Sequence, residues 1–182
     1  PGDSAAKLVD FVLLTPFRRE KLDEILQNQP QEPGASTGKK PESAKGIKLG
    51  KRCPLSILVA EDNMINTKMV RLQLKRLGYE SDHAKDGVEA VEKSHQRFAE
   101  VGTPYDLILM DLQMPRKDGY EAAEEIKAEF ADRTRIVALS ANVYSEEKAR
   151  CLRIGMSGFL SKPLLPDKLS LQLEEAYLQK KP

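Results

Sequence analysis

From residue 53 onward the chain shifts repeatedly between unbroken apolar runs and a helical period. Short runs with no polar alternation read as strands covered on both faces, and apolar positions three and four apart read as helices lying on them. The pattern predicts a strand over Ser56–Ala60, then a helix over Met64–Leu77 stopped by Gly78. A short strand over Tyr79–His83 follows, and Asp86-Gly87 turns the chain into a helix over Val88–Phe98. "YDLILMD" (Tyr105–Asp111) is a strand ending in an acid, followed by a helix over Gly119–Phe130. "RIVALSA" and "GFLSKP" are the last two strands. Helices over Glu146–Ile154 and Pro166–Gln179 follow them, the last with proline at an early position. Five strands alternating with five helices predict an α/β, doubly wound domain with a parallel sheet.

Such sheets bind ligands beyond the carboxyl ends of their strands, at the point where strand order reverses. That rule gives the polar residues at the strand ends a common destination. Glu61 and Asp62 follow the first strand and Asp111 the third, while Ser140 closes the fourth and Lys162 follows the fifth. Taken singly, a strand-end Asp is a helix cap and a Ser is a turn residue. Taken together, three carboxylates cannot all stay ionised side by side without a cation. Every potential ligand is an oxygen, which selects a hard ion, and Mg²⁺ uses one or two carboxylates plus phosphoryl oxygens. A carboxylate nucleophile (Asp111), a metal site, a lysine (Lys162) and a hydroxyl (Ser140) are what phosphoryl transfer requires.

Composition narrows the field further. The chain has 182 residues, 29 basic and 28 acidic, so it offers no electrostatic footprint for nucleic acid. No apolar run approaches the ~20 residues that span a bilayer, so no membrane contact and a cytoplasmic setting are expected. Cys53 and Cys151 lack metal or disulfide spacing and read as free thiols. His83 and His95 read as ordinary surface or edge residues. The stretch from Asn28 to about Lys51 is rich in Pro, Gly, Ser and Lys, which assigns 28–52 to a flexible linker.

The motifs "ILVAEDN", "LILMDLQMPRKDGYEA", "IVALSAN" and "GFLSKPL" stand in order at successive strand ends. From about Pro54 to Lys180 the chain resembles a response-regulator receiver domain, most closely those attached to hybrid sensor histidine kinases, which makes 53–182 the receiver. The resemblance implies a flavodoxin-like fold with strand order 2-1-3-4-5. It also implies Asp111 as phosphoryl acceptor, with Mg²⁺ held by Glu61, Asp62, Asp111 and the backbone carbonyl of Gln113. Lys162 would pair with Asp111, and Ser140 and Phe159 would form the switch. The Lys162–Pro163 peptide would be cis. Gln113 and Asn142 would flank the pocket and tune how readily water attacks the acyl phosphate.

The chain shows no nucleotide-binding loop, so the phosphoryl donor is expected to be a phosphohistidine on a phosphotransfer domain or a histidine kinase core. On the first helix Asn66, Val70, Gln73, Leu74 and Leu77 make one apolar-centred stripe. Ile65, Met69 and Leu72 make a second, which a helix on one sheet does not need to bury. With Pro163 nearby, that second stripe is the expected docking face; a wide core face is the plainer alternative. The N-terminal stretch echoes the C-terminal one. With Pro16 laid on Pro163, Leu13 falls on Leu160, Lys21 on Lys168, Leu22 on Leu169 and Leu26 on Leu173, while Thr15 replaces Lys162. Residues 1–27 are therefore expected to be a strand-helix remnant of a preceding pseudo-receiver.

Two other functions compete. A haloacid-dehalogenase-like phosphohydrolase would need an acid two residues after Asp111, where Gln113 stands and cannot transfer protons in that role. A binding module that takes no phosphate would have no use for the set Glu61, Asp62, Asp111, Ser140 and Lys162. Whether the chain counts as an enzyme in its own right stays open at this level, since it carries no kinase catalytic domain.

Overall fold

The computed structural model describes residues 48–141 and 145–180. The expectations for 1–27, for 28–47 and for Asn142 fall outside those residues. The elements are α1 (Leu49–Arg52), β1 (Ile57–Ala60), α2 (Met64–Leu77), β2 (Asp82–Ala84), α3 (Gly87–Val101), β3 (Leu107–Asp111), α4 (Gly119–Phe130), a 3₁₀ turn (Ala131–Arg133), β4 (Arg135–Ser140), α5 (Ser145–Ile154), β5 (Gly158–Ser161) and α6 (Pro166–Lys180). All strand pairs are parallel and the order is β2-β1-β3-β4-β5.

The unbroken apolar strands follow from burial on both faces. On one face Leu58, Ala60, Ile108, Met110, Ile136 and Ala138 pack beneath Val91 of α3, Ile126 and Phe130 of α4 and Cys151 of α5. On the other, Ile57, Val59, Leu109, Val137 and Leu139 pack beneath Val70 and Leu74 of α2 and Leu169 and Leu173 of α6. Full burial of each Val, Leu, Ile, Met or Phe among them contributes about 1.5–3 kcal/mol. The sheet therefore cannot slip register by one residue without exchanging its two cores. The connection from β1 runs outward to β2 and that from β3 runs the other way to β4, which opens a crevice between the carboxyl ends of β1 and β3.

Helix caps sort the acids near those ends. Asn63 caps α2, its side chain accepting from Ile65 N (2.9 Å) and Asn66 N (3.2 Å). Asp86 caps α3, and Asp118 forms a capping box with Glu121 on α4. Because Asn63 takes the cap on α2, Asp62 is not needed there.

Two expected boundaries move. β2 is Asp82–Ala84 rather than 79–83, because Tyr79 is drawn into the core to close α2. Its N–H donates to Leu74 O and its hydroxyl to Cys53 O (2.8 Å). Residues 49–52, placed in the flexible linker from composition, form a helical turn packed on the domain. A Cβ on Gly50 would sit 2.3 Å from Gly78 O, so only glycine allows that approach. Arg52 also meets Glu174 of α6 at 3.2 Å. Composition signalled mobility here, but a close backbone approach decided otherwise.

Candidate functional site

β1 delivers Glu61 and Asp62, β3 delivers Asp111, β4 delivers Ser140, and the turn after β5 delivers Lys162. All five line one cleft of about 250 Å³ at the carboxyl end of the sheet, together with Gln113. Lys162 Nζ stands 2.6 Å from Asp111 Oδ2 and 2.6 Å from Glu61 Oε2. Glu61 is fully buried, and its other oxygen accepts from Asn66 Nδ2 at 2.8 Å. Asp111 Oδ1 accepts from the Gln113 backbone N–H at 3.2 Å. Burial pushes the Lys162 ammonium toward deprotonation. Its hydrogen bond to Asp111 and its close charge contacts with Asp111 and Glu61 outweigh this and hold it above the ordinary lysine range.

One lysine does not balance three acids. Ligand oxygens of Glu61, Asp62 and Asp111 all lie within 4.8 Å of one another. Glu61 Oε2 is buried and, although it touches the ammonium, accepts no well-directed hydrogen bond. A hard divalent cation fits this donor set in charge and in ligand type. Asp62 is exposed, which leaves the cleft open to solvent on that side.

The loop after Asp111 folds tightly back on it. A Cβ on Gly119 would lie 2.0 Å from Asp111 O, so glycine is required where α4 begins. Lys162 N donates to Ser140 O (2.8 Å), which fixes the lysine turn against β4, and the Lys162–Pro163 peptide is cis.

The structure also places residues that the sequence did not single out. Ser140 Oγ donates to Glu147 Oε2 of α5 at 3.1 Å. Glu147 had no signal beyond its position in a first helical turn. His83, expected to be an ordinary edge residue, has Nε2 at 2.9 Å from Glu61 O and 3.2 Å from Thr67 Oγ1, bracing the Glu61 main chain. His95 meets Glu129 at 2.5 Å, away from the cleft. Both cysteines are free and buried. Phe159 is half-buried on β5 and packs against the core between the sheet and α3–α5. Ile65, Met69 and Leu72 are 70%, 53% and 52% exposed, so the second stripe on α2 is an open ridge and not a wide core face. Pro163 stands beside it, across a small apolar pocket shared with Met69, Gln73 and Leu164.

A doubly wound domain with a carboxylate cluster, a lysine and a hydroxyl gathered at its switch point carries the groups that phosphoryl transfer requires. A family model for the response regulator receiver domain matches residues 57–174, and the chain belongs to that family. It is a receiver domain of two-component signal transduction. Histidine protein kinase 1 of Candida albicans is 45% identical over 160 residues, which is 85% of this chain and 6% of that protein. The osmosensing histidine protein kinase SLN1 of Saccharomyces cerevisiae is 38% identical over 131 residues, 70% of this chain and 11% of that protein. The chain thus spans a small part of these relatives.

Solved structures agree. The receiver domain of a sensor histidine kinase from Pseudomonas aeruginosa, with a magnesium ion coordinated in its active-site cleft, superposes with a TM-score of 0.60 at 35% identity, covering 68% of this chain and 97% of that one. The receiver domain of the Saccharomyces cerevisiae response regulator Ssk1, solved with the histidine phosphotransfer protein Ypd1, gives 0.62 at 28% identity, covering 69% and 90%. Among the described residues no helix is long and apolar enough to cross a membrane.

Proposed function

We propose that this receiver accepts a phosphoryl group from a phosphohistidine onto Asp111, within a hybrid histidine kinase acting on the cytoplasmic side of its relay. The observation that carries the reading is the convergence of Glu61, Asp62 and Asp111 around Lys162. Glu61, Asp62, Asp111 and the Gln113 carbonyl would hold Mg²⁺, which when bound supplies charge neutralisation for the phosphoryl oxygens. An Asp111 carboxylate oxygen attacks phosphorus, the P–N bond to the donor imidazole breaks, and the ring leaves with its electron pair. An acyl phosphate remains on Asp111. Lys162 is already in contact with Asp111 and can follow the new charge. Ser140 would leave Glu147 to donate to a phosphoryl oxygen, and Phe159 would move with it. The test is to incubate the chain with a phosphorylated histidine phosphotransfer domain and Mg²⁺. Acid-stable, hydroxylamine-labile label on Asp111 is expected; label on any other residue, or none, overturns the reading.

The donor is expected to dock on α2 through Ile65, Met69 and Leu72, with Pro163 at the edge. The exposed ridge is flanked by Lys68, Arg71 and Lys75, with no acid on the helix, so a partner face with apolar centre and acidic rim would complement it. Ile65→Asp should slow transfer from the phosphotransfer domain at least tenfold, since it puts a charge at the centre of an apolar contact. Labelling by acetyl phosphate should stay at the parental rate. Equal loss with both donors would show that the ridge serves the site and not the partner.

A further inference from the structure

The loop leaving Asp111 spans residues 112–118 and carries the Gln113 N–H that binds Asp111 Oδ1. Its base is closed by Gly119 N–H donating to Leu112 O (3.1 Å). Its tip is held from outside. Arg116 has φ 66°, the left-handed region, although it is neither Gly nor Asn. That conformation costs roughly 1–2 kcal/mol and persists only where surrounding contacts over-determine it. Locally, Lys117 N–H donates to Pro115 O (2.8 Å) across Arg116, and the contact from outside the loop is with Asp86. Arg116 Nε donates to Asp86 Oδ2 at 2.7 Å, and a terminal guanidinium nitrogen meets the same oxygen.

Asp86 is 2% exposed, and its Oδ1 accepts from Glu89 N at 2.9 Å. One oxygen thus caps α3 and the other grips the loop. Burial raises the Asp86 pKa, but the Glu89 N–H and the Arg116 guanidinium outweigh it and hold the carboxyl below its ordinary value. The main chains meet as well, with Gly87 N–H donating to Lys117 O at 3.1 Å. A Cβ on Gly87 would lie 2.5 Å from that oxygen. A pair with one partner buried and doubly engaged differs from the exposed ion pairs that contribute almost nothing.

We propose that Asp86 and Arg116 are a positioning pair for the acceptor site. Their contact holds the 112–118 loop so that the Gln113 main chain faces Asp111, and it links the β2–α3 turn to the site's readiness for a divalent ion and a phosphoryl group. This rests on the reading of Asp111 as acceptor. The role is indirect, because neither side chain reaches the cleft. It follows from geometry: the loop's base is tied to the acceptor and its tip to a separate helix, so loosening the tip lets the Gln113 peptide turn.

Two variants test it. Asp86→Asn keeps a capping oxygen for α3, since Asn caps as well as Asp, and removes the charge. Arg116→Gln removes the guanidinium at a half-exposed position. Mg²⁺ binding would be titrated through the amide resonances of Asp111 and Gln113, beryllofluoride saturation followed in parallel, and urea unfolding measured on the same samples. Each variant should bind Mg²⁺ about tenfold more weakly, as for other residues that orient metal ligands, with the Gln113 amide already shifted before metal is added. Arg116→Lys should recover part of the loss, and the double variant should be no weaker than the worse single. Should Asp86→Asn lower the urea midpoint substantially, Arg116→Gln decides alone. Parental Mg²⁺ affinity in Arg116→Gln overturns the pair. A parent that binds neither Mg²⁺ nor beryllofluoride overturns the acceptor reading, and the pair with it; a parent that binds both beside unaffected variants overturns the pair only.

Discussion

Asp111→Asn will take up no label above background from a phosphohistidine donor or from acetyl phosphate, while remaining folded. The carboxamide has the shape of the carboxylate but lacks the anionic oxygen that must attack phosphorus. Lys162 keeps its second partner, Glu61, at 2.6 Å, so the ammonium stays paired. The acidic cluster does lose one of its three members. Mg²⁺ should therefore protect the variant less than the parent in thermal unfolding. A ligand at ten times its Kd stabilises by about 1.4 kcal/mol, and that increment should shrink or vanish. Persistent labelling of Asp111→Asn, mapped to another residue, would move the chemistry elsewhere.

Lys162→Met should carry the largest stability cost of any single change in the cleft. Its Nζ touches two acids, Glu61 fully buried and Asp111 nearly so. Removing one partner of a buried ion pair leaves uncompensated charge and costs about 3–5 kcal/mol. Urea unfolding in Mg²⁺-free buffer should show that loss. Added Mg²⁺ should return part of it by meeting the same carboxylates, and Glu61→Gln in the same chain should return part without metal. A variant as stable as the parent would mean the acids are held by something other than the lysine.

The pH dependence has a definite sign. The folded-state pKa of Lys162 lies above its ordinary value. Its contribution is therefore complete below about pH 10.4, the unfolded lysine value, and fades as pH rises through the higher folded value. Tyr79, pushed up to about 12 by burial first and by the Cys53 and Glu174 charges next, fades in the same alkaline range. Only the difference between parent and Lys162→Met isolates the lysine: the gap between their stabilities should narrow above pH 10.4.

Some features resisted a one-dimensional reading. The linker composition of 28–52 ran four residues too far, over Leu49–Arg52, because nothing local announces that Gly50 will lie against the Gly78 carbonyl. Tyr79 looked like a strand residue by type, yet its hydroxyl found Cys53 O, and β2 began three residues later. Glu147 and His83 have no motif, and their parts as partners of Ser140 and of the Glu61 main chain exist only once α5 and β2 are packed. Asp86-Gly87 was legible as a turn, and nothing in that dipeptide says that it also grips Arg116, thirty residues away.

What the chain's order of residues determined by itself was the alternation of buried strands and amphipathic helices, and which polar groups end each strand. Both are local consequences of side-chain period and of covalent adjacency. Tertiary structure decided which of those groups meet. Parallel pairing in the order β2-β1-β3-β4-β5 brings Asp111 and Lys162, fifty-one positions apart, to within 2.6 Å. It also leaves the Ile65–Met69–Leu72 ridge open on α2, because a single sheet can cover only one side of a helix.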